Sequence, residues 1–274
     1  MQAVLADFNK KSIMEAPALK INSAIHAIEE SCRIVVGALL EVQKYIQIGI
    51  STIELDKIAE DYIRSQNGEP AFKGYIVDGK AFPSSLCISI DDEVVHGLPS
   101  TRTLKEGQII SIDCGVKKNG YYGDSAATFP VGIIADEKQM LLKVTYESLM
   151  LGVSQAVTNN KVYDISRAVQ SHVEKNGFSV VRELVGHGVG KNLHEEPAIP
   201  NFVPPLLHRS RFPNDKLKRG QALAIEPMVN FGTFQVKTAS DGWTVLTSDG
   251  RPSSHFEHTV IVEEKQPIIL TLLS

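Results

Sequence analysis

Ile112-Asp113-Cys114-Gly115-Val116-Lys117-Lys118-Asn119-Gly120-Tyr121-Tyr122-Gly123-Asp124 folds back on itself at Asn119-Gly120, the favoured two-residue type I′ hairpin turn. With 119 and 120 at the tip, Lys118 faces Tyr121 and Gly115 faces Asp124. Asp113 and Asp124 then fall on one face as diagonal neighbours. Their Cβ atoms are expected about 7–8 Å apart, a span that two carboxylate arms close around one or two cations. Gly115 and Gly123 leave room beside them. Aspartates on a hairpin are ordinarily solvated. Here Ile109, Ile110 and Ile112 precede Asp113, and Ala126, Ala127 and Phe129 follow Asp124, so the hairpin is predicted to be substantially buried. Two buried like charges are costly without a cation between them.

Outward from the hairpin, apolar residues Ile25, Ile28, Cys32, Val35, Val36, Leu39 and Leu40 recur at helical intervals over 21–46. A second helix is predicted from Ser51, where Ser51 and Glu54 have capping-box spacing and Leu55, Ile58, Ala59 and Ile63 form the buried stripe. β-type runs follow at 86–90, 109–116 and 121–131, then helical patterns over 137–156 and 163–175. Further β-type runs lie at 222–229, 234–237, 243–246 and 256–262. The pattern is α+β without a βαβ rhythm. The second half reads as repeating the order of the first in reverse, and two blocks of paired helices plus strands allow a weak internal duplication. The stretch 202–213, rich in Pro, Arg and His, reads as an irregular surface loop. Residues 1–20 read as a loose leader, and 21–274 as one catalytic domain.

The 274 residues are 43% hydrophobic and carry a net charge of −4 with no polybasic run, which argues against nucleic acid or anionic lipid as partner. Cys32, Cys87 and Cys114 have no C-x-x-C spacing and leave one thiol unpaired in any disulfide scheme, which fits a reducing, cytoplasmic setting. No stretch approaches the roughly 18 apolar residues that span a bilayer. No heptad demands a partner, so a monomer is expected.

Three histidines and two glutamates join the aspartates as candidates. His187 and His194 lie in the glycine-rich, loop-like stretch Gly186-His187-Gly188-Val189-Gly190-Lys191-Asn192-Leu193-His194. The glycines beside His187 allow close backbone approach and unusual dihedrals. His96 follows an apolar strand in Glu93-Val94-Val95-His96-Gly97. Glu226, in Ala224-Ile225-Glu226-Pro227-Met228, and Glu257, in His255-Phe256-Glu257-His258-Thr259, each interrupt an apolar or aromatic strand. A lone histidine is more often structural, and a lone strand glutamate more often solvated. Two aspartates, two glutamates and one histidine make an oxygen-rich set suited to a pair of divalent ions such as Mn, Fe, Co or Zn.

These residues resemble the short, type I methionine aminopeptidases over about 21–273. The resemblance is carried by Glu93-Val94-Val95-His96-Gly97, Ile112-Asp113, Gly123-Asp124, Gly186-His187-Gly188, His194-Glu195-Glu196-Pro197, Ile225-Glu226-Pro227-Met228, Asp241-Gly242-Trp243-Thr244 and Phe256-Glu257-His258-Thr259, in family order. It implies the pita-bread fold, two pseudo-symmetric halves of helices and antiparallel strands around a central metal site. It implies removal of the initiator methionine from nascent proteins, including at the ribosome, when the second residue is small. By resemblance Asp113 would chelate one ion, Asp124 and Glu257 would bridge two, and His187 and Glu226 would bind the other. A bridging hydroxide would be the nucleophile, with Glu226 shuttling its proton. His194 would donate to the developing oxyanion and His96 would touch the substrate beside the scissile amide. The methionine pocket would be built from Phe72, Tyr75, Phe82, Cys87, Leu193 and Trp243. Phe72 and Leu193 depart from the residues common in the family, 76–81 lengthens the loop after Tyr75, and 201–218 is longer than usual and expected near the mouth of the site.

An Xaa-Pro aminopeptidase or prolidase would use the same five ligands. It would carry a sizeable domain before the first ligand and Glu-Asp in place of Glu257-His258. A type II methionine aminopeptidase would insert a helical subdomain between His194 and Glu226. A catalytically inactive, peptide-binding module of the same fold would have lost ligands, whereas all five are present.

Overall fold

The structure, a computed structural model, describes residues 23–210 and 212–273. The expected leader, 1–20, lies outside them. Helix α1 (Ser23–Gln43) buries Ile28, Cys32, Val35, Leu39 and Val42 at three- and four-residue intervals, and α2 (Thr52–Ser65) packs beside it. The Glu54 carboxylate accepts from the Ser51 N–H at 2.9 Å, the reciprocal half of a capping box that fixes where α2 starts. Both helices lie against an antiparallel sheet whose long hairpin is Ile109–Lys118 and Tyr121–Pro130. On the other side of Ile109–Lys118 run Leu86–Ile90 and the short Glu69–Pro70.

Helices α3 (Asp136–Ser154) and α4 (Val162–Lys175) pack on each other, and a second antiparallel sheet follows. Its strand order is Glu195–Pro200, Val185–Gly188, Ala222–Ile225, His258–Ile261 and Ile268–Ile269. Each half thus runs helix pair first and strands second: the order is repeated directly, and the expected reversal is not found. One continuous core, from Val35 and Leu39 through Ile112 and Leu149 to Val260, fills the space between these layers. Each such fully buried aliphatic side chain stabilises by about 1.5–3 kcal/mol relative to exposure. Among the described residues no helix is long and apolar enough to cross a membrane.

Two segments differ from their sequence reading. The stretch around His187 is strand and not loop: Val185–Gly188 pairs with both Ala222–Ile225 and Glu195–Pro200. Its glycines hid the strand, because they are there for close packing. A Cβ on Gly186 would sit 2.4 Å from the Ala224 carbonyl oxygen, and one on Gly188 2.3 Å from that of Glu196. Neither glycine has positive φ, so the unusual dihedrals expected there are absent. The run 222–229 is two strands, Ala222–Ile225 and Met228–Asn230, broken at Glu226-Pro227, where proline has no N–H for a ladder.

Candidate metal centre

Asn119 and Gly120 both have positive φ, 51° and 81°, as a type I′ turn requires, and the hairpin register pairs Lys118 with Tyr121 and Gly115 with Asp124. Asp113 and Asp124 are therefore on one face, near enough for each to act on the other's proton. The second sheet delivers the two glutamates by the same logic. Ile225 pairs with His258, so the next step out places Glu226 beside Glu257, where both strands end. His187, paired with Ala224 on the neighbouring strand, sets its Nε2 3.5 Å from Glu226 Oε1.

Hydrogen bonds across the seam between the two halves hold these groups in place. Glu257 N–H donates to the Ala126 carbonyl at 2.9 Å, and Ser125 Oγ donates to the Glu257 carbonyl at 2.7 Å. Thr259 Oγ donates to the Asp124 carbonyl at 2.7 Å and lies 3.2 Å from the Asp124 N–H. As a result one ligand atom each of Asp124, His187 and Glu257 lies within 4.8 Å of the others, and Asp113 and Glu226 line the same cleft.

Burial is the main cause of the electrostatics. It lifts the Asp113 carboxyl to about 7 and the Glu226 carboxyl to about 8, and raises Asp124 and Glu257 well above the usual carboxylate range. The neighbouring carboxylates add to the rise at Asp124 and Glu257. Burial pushes the His187 and His96 imidazoles down to about 4, so both are neutral near pH 7 and free to act as ligand or hydrogen-bonding group. Asp113 Oδ1, Asp124 Oδ1 and Glu257 Oε1 are buried without any hydrogen-bond partner. Three orphaned acceptors on clustered carboxylates, beside a neutral imidazole, fit divalent cations held by oxygen and nitrogen.

The cleft, about 140 Å³, is lined by every residue singled out in the sequence: His96, Asp113, Asp124, His187, His194, Glu226 and Glu257 at its polar end, and Phe72, Tyr75, Phe82, Cys87, Leu193 and Trp243 at its apolar end. His96 adopts φ 59°, a left-handed conformation uncommon outside glycine. Gly97 follows because its Cβ would meet the Ile88 carbonyl oxygen at 2.2 Å. His194 keeps part of its ring open to solvent, and its Nδ1 lies 2.8 Å from the Tyr75 hydroxyl. Phe72, Phe82, Cys87 and Leu193 form a small buried cluster of their own, with Trp243 packed edge-on to Phe82 at 5.1 Å.

Two participants were missed in the sequence. Val77 also lines the cleft, from a hairpin that read only as a lengthened loop. His255 lies against Glu226, and its position two residues before Glu257 on an extended run was the available signal. The 201–218 stretch starts beside the site, where Asn201 Nδ2 donates to the Glu226 carbonyl at 3.1 Å. None of its described residues lines the cleft; Val203 N–H donates to Gln170 and the Tyr163 hydroxyl to the Phe212 carbonyl, which lays the loop along α4.

Comparison with known proteins agrees with this geometry. The model of metallopeptidase family M24 matches residues 26–264. Methionine aminopeptidase 1 of Bacillus subtilis is 51% identical over 244 residues, covering 89% of this chain and 94% of that protein. A methionine aminopeptidase of Clostridium perfringens is 46% identical over 255 residues, covering 93% and 98%. Among solved structures, methionine aminopeptidase from Thermotoga maritima has a TM-score of 0.86 at 37% identity, covering 93% of this chain and 99% of that one. Prolidase from Pyrococcus furiosus, with a TM-score of 0.74 at 21% identity, shares the fold across 93% of this chain and 66% of its own. This pita-bread chain therefore belongs to metallopeptidase family M24, among its methionine aminopeptidases.

Proposed function

We propose that this cleft removes the N-terminal methionine from peptides and nascent proteins whose second residue is small. The observation that supports this most is the adjacency of a partnerless carboxylate cluster and an apolar pocket of side-chain size. Asp113, Asp124, His187, Glu226 and Glu257 are the residues that hold two divalent cations, drawn from Co, Mn, Fe or Zn. Such cations acidify a bound water and polarise the scissile carbonyl.

The chain's own residues do the rest. Phe72, Phe82, Cys87, Leu193, Tyr75 and Trp243 receive the thioether side chain, for which aromatic edges are favourable neighbours. Tyr75 donates its hydroxyl proton to His194 Nδ1, which leaves the imidazole proton on Nε2, able to donate to the carbonyl oxygen as charge builds there. His96, neutral and at the polar end, contacts the substrate beside the scissile amide. Glu226, kept ionised once a cation is bound, would accept a proton from the attacking water and pass it to the leaving amine. Residues 21–274 act as one catalytic domain, as a monomer, with nascent chains at the ribosome among its substrates. Three free, buried cysteines favour a reducing compartment, the cytoplasm.

The test is turnover of Met-Ala-Ser with each metal added, alongside an Xaa-Pro peptide and a metal-stripped control. Metal-dependent release of methionine is expected. Turnover of the Xaa-Pro peptide alone would replace this reading with a prolidase-like one, and turnover of neither with a binding module.

A further inference from the structure

Residues 76–81 form a two-stranded flap, Ile76–Val77 against Lys80–Ala81, closed by a turn in which Asp78 and Gly79 both have positive φ, 49° and 77°. We propose that the inner face of this flap is a subsite for the substrate beyond the scissile bond, taking an apolar side chain at the third residue of the peptide. The inference rests on the aminopeptidase reading above and deepens it.

The flap is built against the cleft at two points. At its base the Tyr75 hydroxyl is 2.8 Å from His194 Nδ1. Across the cleft Lys80 Nζ sits over the Asp241-Gly242 turn, 2.7 Å from where a Gly242 Cβ would be; hydrogen bonds from Thr244 and Trp243, with a smaller contribution from the Lys80 charge, outweigh burial and hold the Asp241 carboxyl below its usual value. That turn carries Trp243 into the apolar end. Strand alternation separates the flap's two faces. Tyr75 and Val77, two residues apart, both line the cleft, whereas Ile76 between them points away and is 68% exposed. Val77 is 45% exposed although it lines the cleft, so part of its apolar surface stays open to solvent there.

Spacing selects the substrate position. The Tyr75 hydroxyl reaches His194, the group proposed at the scissile carbonyl, and Val77 follows two residues later on the same side of the flap, about 6.6 Å along at roughly 3.3 Å per residue. A peptide leaving the cleft extended covers the same distance in two residues, which brings its third side chain to Val77. Lys80, opposite Val77 in the flap register, borders the same face and limits the apolar contact to one side chain.

The experiment compares kcat/KM for Met-Ala-Leu-Gly and Met-Ala-Ser-Gly, with Met-Ala as reference, in the metal-loaded full chain and in V77D and I76D. The wild-type protein should favour leucine about five- to tenfold, the range of a modest apolar contact. V77D should lose that preference, and I76D, on the outward face of the same strand, should keep it. Equal turnover of the two tetrapeptides by the wild type, an unchanged preference in V77D, or equal loss in both variants would each overturn the subsite while leaving Met-Ala cleavage in place. If the wild type cleaves none of the three, the aminopeptidase reading itself fails, and the subsite with it.

Discussion

His255 Nε2 lies 3.4 Å from Glu226 Oε2, while His187 Nε2 approaches the other oxygen of the same carboxylate at 3.5 Å. Neither ring nitrogen of the buried His255 has a hydrogen-bond partner, and Nε2 meets Glu226 only as a close polar contact. This histidine therefore aims Glu226 from behind. His255→Ala is expected to weaken metal binding or kcat by about 10- to 100-fold, the usual cost of losing a group that orients a ligand. His255→Gln, which keeps an N–H donor, should recover most of it. Calorimetric metal titration together with kcat on Met-Ala-Ser checks this; equal defects in both variants would count against an orienting role.

Glu257 is buried among other carboxylates, and its charge is costly there until a cation arrives. Glu257→Gln should abolish at least about 99% of activity. It should also raise the melting temperature of the metal-free protein and remove most of the further rise that added metal gives the wild type. Thermal melts of both proteins with and without metal read out the two effects at once.

The pH dependence of the metal-free protein follows from the raised carboxyls. Glu226 titrates at about 8 and Asp113 at about 7 when folded, against 4.5 and 3.8 ordinarily. Folding thus keeps protons that the unfolded chain has already released, a stabilising contribution that is full at low pH and lost as pH rises through the folded values. The histidines lowered to about 4 act the opposite way, but only below their ordinary 6.5. Between pH 6.5 and 8 the carboxyls prevail, so the stability of the metal-free protein should fall. Metal binding should release protons and tighten with pH. Denaturant melts at pH 6.5 and 8, with and without chelator, provide the measurement.

Gly186→Ala would put a methyl group 2.4 Å from the Ala224 carbonyl and force the strand carrying His187 away from its neighbour. A loss of about 1–3 kcal/mol is expected, as for other overpacked sites. Urea titration measures the stability, and metal affinity should fall in parallel because His187 moves with its strand.

The legible parts of this molecule were those set by local rules. Asn119-Gly120 fixed a register, and the register put Asp113 and Asp124 on one face before any tertiary contact was known. Helical periodicity located all four α-helices among the described residues to within a few residues. What stayed hidden depended on contacts distant in sequence. The strand nature of 185–188 arises from neighbours at 195–200 and 222–225 that need glycine's missing Cβ, so local propensity reads it as loop. His255 gains its role only when the strand before Glu257 meets the turn at Glu226. The course of 202–213 along α4 likewise depends on Gln170 and Tyr163, which no local pattern connects to it. The family was more accessible, since its carriers are short motifs in a fixed order.

The bonds joining Asp124, Ser125 and Ala126 to Glu257 and Thr259 fasten one half of the molecule to the other at the point where the ligands meet. A cation bound there would act as a rivet through both plates. Chelation should accordingly be felt first along this line: amide hydrogens near 124–128 and 255–259 would exchange faster while those deep in either helix pair stay protected. Severed from each other, neither half retains all five of the proposed ligands.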